Sequence, residues 1–580
     1  MNLEKFFRFT FWVSLVGLLV FILDFGYDQS ITNQHYLNFF YLLVLLFGVI
    51  STTLRYFNDF EKIKRKVIVF DFISILFTLS VILIHFLTHS SLKDESWLYD
   101  DIWVKIAIFL TFLREFSELK LNYNTSYLNP AQLFIFSFLI IIILGALMLM
   151  LPNASHGKID FINALFTSTS AVCVTGLAVE DTATFFTPFG QTIILVLIQI
   201  GGLGILTFAS YFTYFFKGGD SYKNQLTLSE ITSTQKIGQV FKTLKYIVSI
   251  TFIVESISAI SIFLSLDKHL FNSLSEKIFF SVFHAISAFC NAGFSTLSSS
   301  MYEEGFRYDY NLQFIIILTF VFGGLGFPIM VNVLSYIRHV FKRFLLKSQQ
   351  RNLYRPWVLN INSRITLVTT MSLNVVAFFL FFIFEGNNTL AAHHGLGKVV
   401  AALFEATTPR TAGFNNVDMA ALSFPAVMIT IFLMWIGASP ASTGGGIKTS
   451  TLAIATMNII SLARGKERIE VFRKEIADIS VRRAFATISL SLIVIGLGTC
   501  LIAIFDGHHG LLNIAFECFS AYSTVGLSLG ITASLGTGSK IVIMFIMFIG
   551  RVTMLSILIA VLSREKYTNY RYPREEITIN

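Results

Sequence analysis

Four short stretches rich in small residues recur along this chain, and each contains a glycine. In order they are ALFTSTSAVCVTGLAV, SVFHAISAFCNAGFST, ALFEATTPRTAGFNNV and AFECFSAYSTVGLSLG, with glycines at Gly176, Gly293, Gly413 and Gly526. A phenylalanine precedes each glycine by nine or ten residues, and the glycines are separated by 117, 120 and 113 residues. The segment AYSTVGLSLG holds no catalytic acid, base or nucleophile dyad. What such a stretch offers chemically is its backbone, because carbonyl oxygens can bind a cation.

The composition places these stretches in a membrane protein. Of 580 residues, 54% are hydrophobic and 13% charged, and the mean hydropathy is +0.69. Soluble domains carry about one quarter charged residues. The net charge of +8 comes from basic residues between apolar segments, so it favours membrane orientation over nucleic-acid binding. We therefore expect an all-α polytopic membrane protein and no nucleic-acid partner.

About twelve segments are apolar enough to cross a bilayer about 30 Å thick, which takes about 20 helical residues. They lie near 8–26, 36–55, 66–88, 102–118, 131–151, 190–216, 244–266, 311–337, 365–384, 425–460, 485–505 and 540–562. The linkers 217–245, 338–364 and 464–483 are rich in Lys and Arg, whereas the alternate connections are acidic. Short basic loops stay in the cytoplasm. This predicts that the tail is inside as well and that the glycine stretches open toward the outside of the cytoplasmic membrane.

Each glycine stretch follows a half-length apolar segment and stands between two longer spans, so a unit of span, half-helix, glycine stretch and span occurs four times. A half-helix of about a dozen residues cannot cross the bilayer and must re-enter it. Four such segments in a pseudo-fourfold arrangement direct their carbonyls and the negative ends of their helix dipoles at one point. Accidental packing glycines are the alternative. The second spans share the motifs IQIGGLG, FVFGGLG, MWIGASP and MFIGRVT, which we place at their openings.

VCVTGL, CNAGF, RTAGF and STVGL resemble the four filter stretches of the Trk/Ktr/HKT superfamily of potassium uptake proteins, over about 126–563. The resemblance implies that the selectivity filter consists of Val174, Thr175, Gly176, Asn291, Ala292, Gly293, Thr411, Ala412, Gly413, Thr524, Val525 and Gly526. Potassium is then the transported substrate, bound at these residues. Serine at the first filter glycine accompanies sodium transport in the plant branch, so Gly176 favours potassium.

The segment GASPASTGGGIKTS, 437–450, is predicted to break the third unit's second span, because three consecutive glycines interrupt a helix. The family has an intramembrane gating loop here, which implies gating roles for Gly444, Gly445, Gly446 and Lys448. A P-loop is excluded because Ile447 separates the last glycine from Lys448; an ordinary kinked helix is the alternative. Arg551 lies in mid-span, and the family has an arginine there that projects into the permeation path beneath the filter. A bridge to another helix's carbonyls or carboxylate is the other interpretation.

Other polar residues have weaker interpretations. Glu405 and Glu517 in the half-helices either raise the local cation concentration or serve as buried anchors. Arg410 is expected to brace its filter stretch. The pairs His393–His394 and His508–His509 are interpreted as exposed residues of outer loops, and Glu255 as an intramembrane acid that pairs with a basic residue.

The sequence predicts about four extra transmembrane helices ahead of the pore. Asp71, Lys105 and Arg114 superficially suit a voltage sensor, but a sensor needs several regularly spaced arginines, so we favour an accessory packing or dimer-contact domain. The division we predict is 1–125 for this domain, 126–216, 241–340, 362–460 and 484–563 for the four pore repeats, and 564–580 for a cytoplasmic tail. Residues 114–130 are interpreted as the linker to the pore.

The predicted function is potassium uptake without covalent chemistry, so no enzyme and no bound cofactor is expected. The alternative within this fold is a sodium or poorly selective monovalent-cation symporter. A membrane-embedded enzyme built on the His pairs and Lys448, or a structural anchor, explains the fourfold register less well. The resemblance implies a homodimer in the lipid membrane that binds a cytoplasmic ring of nucleotide-binding regulatory subunits of the TrkA/KtrA kind. Since the chain has no GxGxxG fingerprint, nucleotide control comes from that partner.

Overall fold

The computed structural model describes residues 3–27, 30–59, 65–87, 102–117, 130–204, 240–345 and 359–561. Most of the predicted linker 217–245, half of 338–364, most of 114–130 and the tail 564–580 lie outside these ranges. The described chain is almost entirely helical. Its one sheet is a two-stranded hairpin in the basic linker 464–483, where β1 (Glu470–Val471) pairs antiparallel with β2 (Lys474–Glu475).

Four helices precede the pore repeats: α1 (Leu3–Gly26), α2 (Ile31–Asp59), α3 (Arg65–Val81), which continues as a π-helical segment (Ile82–Leu87), and α4 (Ile102–Ser117). At 1.5 Å per residue, the 24 residues of α1 extend about 36 Å, which is enough to cross a bilayer. α4 has only 16 residues. The predicted four-helix unit is therefore present, with one short member.

Buried charges tie these four helices together. Each of three ion pairs has one member on α4: Arg55–Glu115 at 2.5 Å, Asp71–Arg114 at 2.7 Å and Asp24–Lys105 at 3.7 Å. Charged residues in membrane spans face the bundle interior and pair with one another. Asp71, Lys105 and Arg114 thus have partners on different helices and form structural cross-links within the bundle.

The four repeats follow, each opening with a span and a shorter pore helix. The spans are α5 (Pro130–Leu149), α8 (Val240–Ser265), α12 (Ile361–Phe384) and α16 (Asp478–Asp506). The pore helices are α6 (Phe161–Val172), α9 (Leu274–Cys290), α13 (Leu396–Thr407) and α17 (Leu511–Ser523). With 12, 17, 12 and 13 residues, the pore helices are short for a bilayer crossing, as the half-helix interpretation requires.

The second spans differ from the prediction. In the second, third and fourth repeats, where both halves of the span are described, the helix is broken. α10 (Tyr310–Gly324) and α11 (Phe327–Leu345) form a pair bent by 107°. α14 (Phe424–Trp435) is separated from α15 (Thr449–Ala463) by a long loop, and α18 (Thr537–Val552) from α19 (Met554–Val561) by Thr553 with φ of 68°. α7 (Pro188–Leu203) ends at Gly204, beyond which the chain is not described. Only the third break was predicted.

The shared glycine motifs therefore end the first half of each second span, and placing them at the opening of the span was wrong. In the first, second and fourth repeats the first glycine of the motif makes room for the end of the pore helix, whereas Gly437 in the third lies against Gly445. A side chain on Gly201, Gly323 or Gly550 would collide with the carbonyl oxygen of Val172, Phe289 or Tyr522, which is the fourth residue before the filter glycine in each case. Glycine permits this close approach because it has no Cβ.

Among the described residues, six helices are long and apolar enough to cross a membrane alone: Lys5–Gly26, Thr32–Phe57, Val67–Ile84, Lys245–Ser265, Ile361–Phe384 and Asp478–His509. The repeats close into a ring in chain order. The second span of one repeat packs against the pore helix of the next: α7 on α9, α10 on α13, α14 on α17, and α18 on α6. The last contact joins the fourth repeat to the first, so the four repeats surround one centre. Together with its apolar helices, this makes the protein an all-α, multi-pass membrane protein.

Candidate functional site: a ring of four glycine strands

The glycine stretches leave their pore helices in one repeated backbone conformation. In every repeat the glycine and the residue two positions before it have positive φ: Val174 (58°) and Gly176 (91°), Asn291 (59°) and Gly293 (69°), Thr411 (76°) and Gly413 (79°), Thr524 (50°) and Gly526 (93°). Side chains, and β-branched ones above all, rarely adopt this conformation. Each non-glycine case costs about 1–3 kcal/mol, and such strain clusters at functional sites. Four repetitions show that the surrounding structure enforces it.

These four strands meet. From the position that a Cβ would take on each glycine, the nearest backbone atom belongs to the next repeat: Ala292 O for Gly176, Gly413 Cα for Gly293 (3.0 Å), Val525 O for Gly413, and Thr175 O for Gly526. The sequence of contacts runs through repeats 1, 2, 3 and 4 and returns to 1. A side chain at any of the four glycines would therefore strike a neighbouring strand, which explains why glycine stands at each.

Hydroxyl groups of the pore helices hold the strands in place. Ser170 Oγ and Ser520 Oγ accept the N–H of the glycine six residues later, Gly176 and Gly526, at 3.1 Å each. Ser287 Oγ donates instead to Phe294 O at 2.6 Å, and Thr408 Oγ1 donates to Phe414 O at 2.5 Å. None of these four residues was predicted from the sequence. Their signal was a Ser or Thr five or six residues before every glycine.

Three polar side chains of the four strands, those of Asn291, Thr411 and Thr524, form lateral hydrogen bonds, whereas Thr175 Oγ1 is buried with no partner among the described residues. The amide nitrogen of Asn291 donates to the carbonyl oxygens of Phe320 (3.0 Å) and Ala288 (3.1 Å). In this orientation its amide oxygen accepts from Thr411 Oγ1 at 2.9 Å. Thr524 Oγ1 accepts from Gly445 N at 2.8 Å. All four pore helices end at these strands, so their negative dipole ends lie beside the ring.

The loop between α14 and α15 lies directly against the filter strands. A Cβ on Gly444 would collide with Thr411 Oγ1, and one on Gly445 would lie 2.5 Å from Thr524 Oγ1. The same loop contacts the break in the second repeat, since Ser439 N donates to Gly324 O at 3.0 Å. Its ends are joined by a parallel bridge between Ile436 and Ile447. The predicted loop 437–450 is thus non-helical through Lys448, and helix α15 resumes at Thr449.

Two basic side chains fasten this loop. Arg551 donates from its two terminal nitrogens to Thr443 O in the loop and to Gly201 O at the end of α7. Lys448 Nζ donates to Gly444 O at 2.5 Å and to Gly445 O at 3.4 Å. Arg551, in the fourth repeat, therefore bridges carbonyls of the third and first repeats, as the bridging interpretation expects.

The remaining candidates occupy distinct places. Arg410 donates to Asn374 Oδ1 at 2.8 Å and to Thr370 O at 3.3 Å, so it connects its filter stretch to α12. Glu255 accepts from the neutral amide of Gln199 at 3.2 Å, and no basic residue forms an ion pair with it within the part of the chain that the structure describes. Glu405 and Glu517 are both buried.

The two histidine pairs differ. His508 and His509 are exposed or partly exposed, as expected, but His393 is buried with only 1% of its surface accessible. Its Nδ1 lies 3.1 Å from the Tyr310 hydroxyl. Burial and, after it, the nearby charge of Arg307 lower the pKa of His393, which favours the neutral form of the ring. The described residues contain no group of three or more His, Cys, Asp or Glu placed to hold a metal ion.

Comparison with known proteins agrees with this architecture. The model of the TrkH family, described as "Cation transport protein", matches residues 100–570. Ktr system potassium uptake protein B of Bacillus subtilis is 36% identical over 451 residues, covering 77% of this chain and 96% of that protein. Potassium/sodium uptake protein NtpJ of Enterococcus hirae is 34% identical over 465 residues, covering 78% and 97%.

The crystal structure of the potassium transporter TrkH from Vibrio parahaemolyticus shares the fold, with a TM-score of 0.59 over 87% of this chain and 99% of that one at 17% identity. The family match spans the four repeats and begins at the last helix of the N-terminal bundle. From this match and the two relatives above 30% identity, the chain belongs to the TrkH family of cation transport proteins.

Proposed function

We propose that the protein takes up potassium through the ring of backbone carbonyls around Gly176, Gly293, Gly413 and Gly526. The observation that carries the proposal is the closed ring of contacts among the four strands, each glycine lying against the next repeat. A cation entering such a ring exchanges water oxygens for carbonyl oxygens. Two relatives at 34–36% identity are named as potassium or potassium/sodium uptake proteins, which supports the choice of ion.

The pore is closed on its inner side by the gating loop 437–450 and Arg551. The loop lies against Thr411 and Thr524, and the guanidinium ties it to α7. A fixed positive charge beneath a cation filter opposes flux until it moves. Opening then requires Arg551 to release Thr443 O, which frees the loop from the first repeat.

A second candidate function is the uptake of sodium, or of monovalent cations with little discrimination, coupled to an ion gradient. The name of the Enterococcus hirae relative includes sodium. Gly176 favours potassium, because serine at this position accompanies sodium transport in the resembling plant proteins.

The protein functions in the cytoplasmic membrane with its filter facing outward and its basic linkers inside. We infer this from the excess of Lys and Arg in 217–245, 338–364 and 464–483. The same linkers offer a docking surface for a nucleotide-binding regulatory subunit, and the assembly is a homodimer. We also propose that the chain divides into an N-terminal domain, four pore repeats and a tail, at 1–125, 126–216, 241–340, 362–460, 484–563 and 564–580.

Uptake of potassium, rubidium and sodium in a host deficient in potassium uptake tests the function. Wild type restores growth at low potassium, and Gly176→Ser lowers the preference for potassium over sodium, because its side chain would strike the Ala292 carbonyl. Gly496→Ser is the matched control, since Gly496 lies on α16 with open space around it. Unchanged cation preference in Gly176→Ser would remove Gly176 from the filter. Wild type that transports sodium as well as potassium would favour the second candidate.

A further inference from the structure

The pore helices share a position that the proposed function does not use. The residue after the buried phenylalanine of each pore helix is Thr167, His284, Glu405 or Glu517. In two of the four repeats, this side chain forms a hydrogen bond with the segment that follows the filter glycine. The serine two residues beyond the glycine, Ser295 in the second repeat and Ser528 in the fourth, is the partner.

In the fourth repeat, the buried side chain of Glu517 is hydrogen-bonded to the partly buried side chain of Ser528. Ser528 Oγ donates to Glu517 Oε1, and Thr532 Oγ1 donates to the same oxygen at 3.0 Å. Ser528 Oγ in turn accepts the N–H of Gly530 at 2.9 Å. Glu517 has no exposed surface. The carboxylate therefore ties the chain that leaves the filter to the pore helix that enters it.

The second repeat reproduces this arrangement with a different acceptor. His284 Nδ1 lies 2.9 Å from Phe280 O, and because a carbonyl only accepts, Nδ1 carries the proton. Nε2 of the neutral ring is then an acceptor, and Ser295 Oγ donates to it at 2.9 Å. Ser295 Oγ also accepts the N–H of Leu297 at 3.0 Å, as Ser528 does from Gly530. The donor, the acceptor position and the local turn are the same in both repeats.

The first and third repeats are built differently. Ala178 stands where the serines stand, and Thr167 donates to Asn163 O within its own helix at 3.0 Å. In the third repeat, Asn415 donates to Val417 O at 3.3 Å, and neither oxygen of Glu405 has a hydrogen-bond partner among the described residues. Since the ring runs 1, 2, 3, 4, the two connected repeats lie diagonally across the pore.

We propose that Ser295–His284 and Ser528–Glu517 are a diagonal pair of latches that position the outer ends of two filter strands and thereby set the discrimination between potassium and sodium. The inference rests on the proposed function of the filter. Each serine lies two residues from a filter glycine, so releasing it frees the strand that bears the glycine carbonyl. A strand held at one end only can contract around the smaller sodium ion, and discrimination falls.

The test uses the purified full-length protein and measures how potassium and sodium each raise its unfolding temperature, since a ligand that binds the native state stabilises it. The selectivity is the ratio of the two half-maximal ion concentrations. Ser528→Ala and Ser295→Ala each reduce this ratio by about five- to tenfold, the effect expected from one ordinary hydrogen bond. Glu517→Gln retains an acceptor for Ser528 and preserves most of the ratio.

Two further variants test whether the loss of selectivity comes from the Ser528–Glu517 hydrogen bond itself. Glu517→Ala combined with Ser528→Ala is no less selective than Ser528→Ala alone, because both remove the same contact. Asn415→Ala, at the same position in an unlatched repeat, keeps the wild-type ratio. The inference is overturned if either serine variant keeps the wild-type ratio, if Asn415→Ala lowers it equally, or if the Glu517 and Ser528 effects add. Wild type that potassium and sodium stabilise equally would instead contradict the proposed function.

Discussion

Arg551 donates to carbonyls of two separate elements, Thr443 O in the gating loop and Gly201 O at the end of α7. Replacing it by alanine removes both hydrogen bonds and the positive charge that we propose to lie beneath the filter. Hydrogen bonds to a charged group contribute about 1.5–3 kcal/mol each. The closed arrangement then loses enough stability to raise unactivated flux about tenfold or more. We expect Arg551→Ala to show this increase as rubidium uptake into proteoliposomes without a regulatory subunit.

Arg551→Lys separates charge from geometry, because a lysine keeps the charge and cannot span two carbonyls as a guanidinium does. We expect it to leak less than Arg551→Ala and more than wild type. If Arg551→Ala leaves both flux and its regulation unchanged, the residue has only a structural role.

At this scale, part of the site could be predicted. The four glycines were visible because they recur in register with their phenylalanines, and the collisions around the ring show why glycine is needed. Ser170, Ser287, Ser520 and Thr408 were missed because a hydroxyl on an apolar helix is equally consistent with a bond to its own helix. Only the folded strand shows that these hydroxyls reach forward to it.

The loop 437–450, for which we propose a gating role, lies close against the glycine strands. A Cβ at Gly445 would lie 2.5 Å from Thr524 Oγ1 and 2.8 Å from its Cγ2, closer than side chains approach. Gly445→Ala must therefore displace the loop and lengthen the 2.8 Å hydrogen bond from Gly445 N to Thr524. We expect a higher resting rubidium flux, with Gly496→Ala as a control that meets open space. Resting flux at the wild-type level would show that the loop does not close the pore.

The breaks in the second spans show the limit of prediction for elements. The third was predictable because three consecutive glycines and Pro440 precede Lys448. The break in the second repeat follows glycines that also suit close helix packing, and Gly323 does pack in this way. The break at Thr553 has no glycine of its own, and its φ of 68° follows from its surroundings rather than from its residue type. The local sequence does not show whether a small residue breaks a helix or lets two helices pack closely.

For the whole molecule, the first three helices of the N-terminal bundle lie ahead of the family match, which begins at residue 100 and includes α4. The bundle packs on the first repeat, where the ring of Phe25 stacks on Phe189 at 5.6 Å and Asn153 donates to Phe25 O at 3.2 Å. Its presence was predictable from hydropathy. Its ion pairs were not, because Arg55 and Glu115 are 60 residues apart and only tertiary structure brings them together.

Breaking one of these pairs tests whether the bundle is structural. Arg114→Leu leaves Asp71 buried without its 2.7 Å partner, which costs about 3–5 kcal/mol. We expect a lower unfolding temperature in detergent with unchanged discrimination between potassium and sodium. Asp71→Leu combined with Arg114→Leu removes both charges, and we expect it to recover most of the lost stability, because an apolar pair needs no compensation inside the bundle. A bundle that instead senses or gates would behave in the opposite way: Arg114→Leu would change flux or selectivity while the unfolding temperature stayed constant.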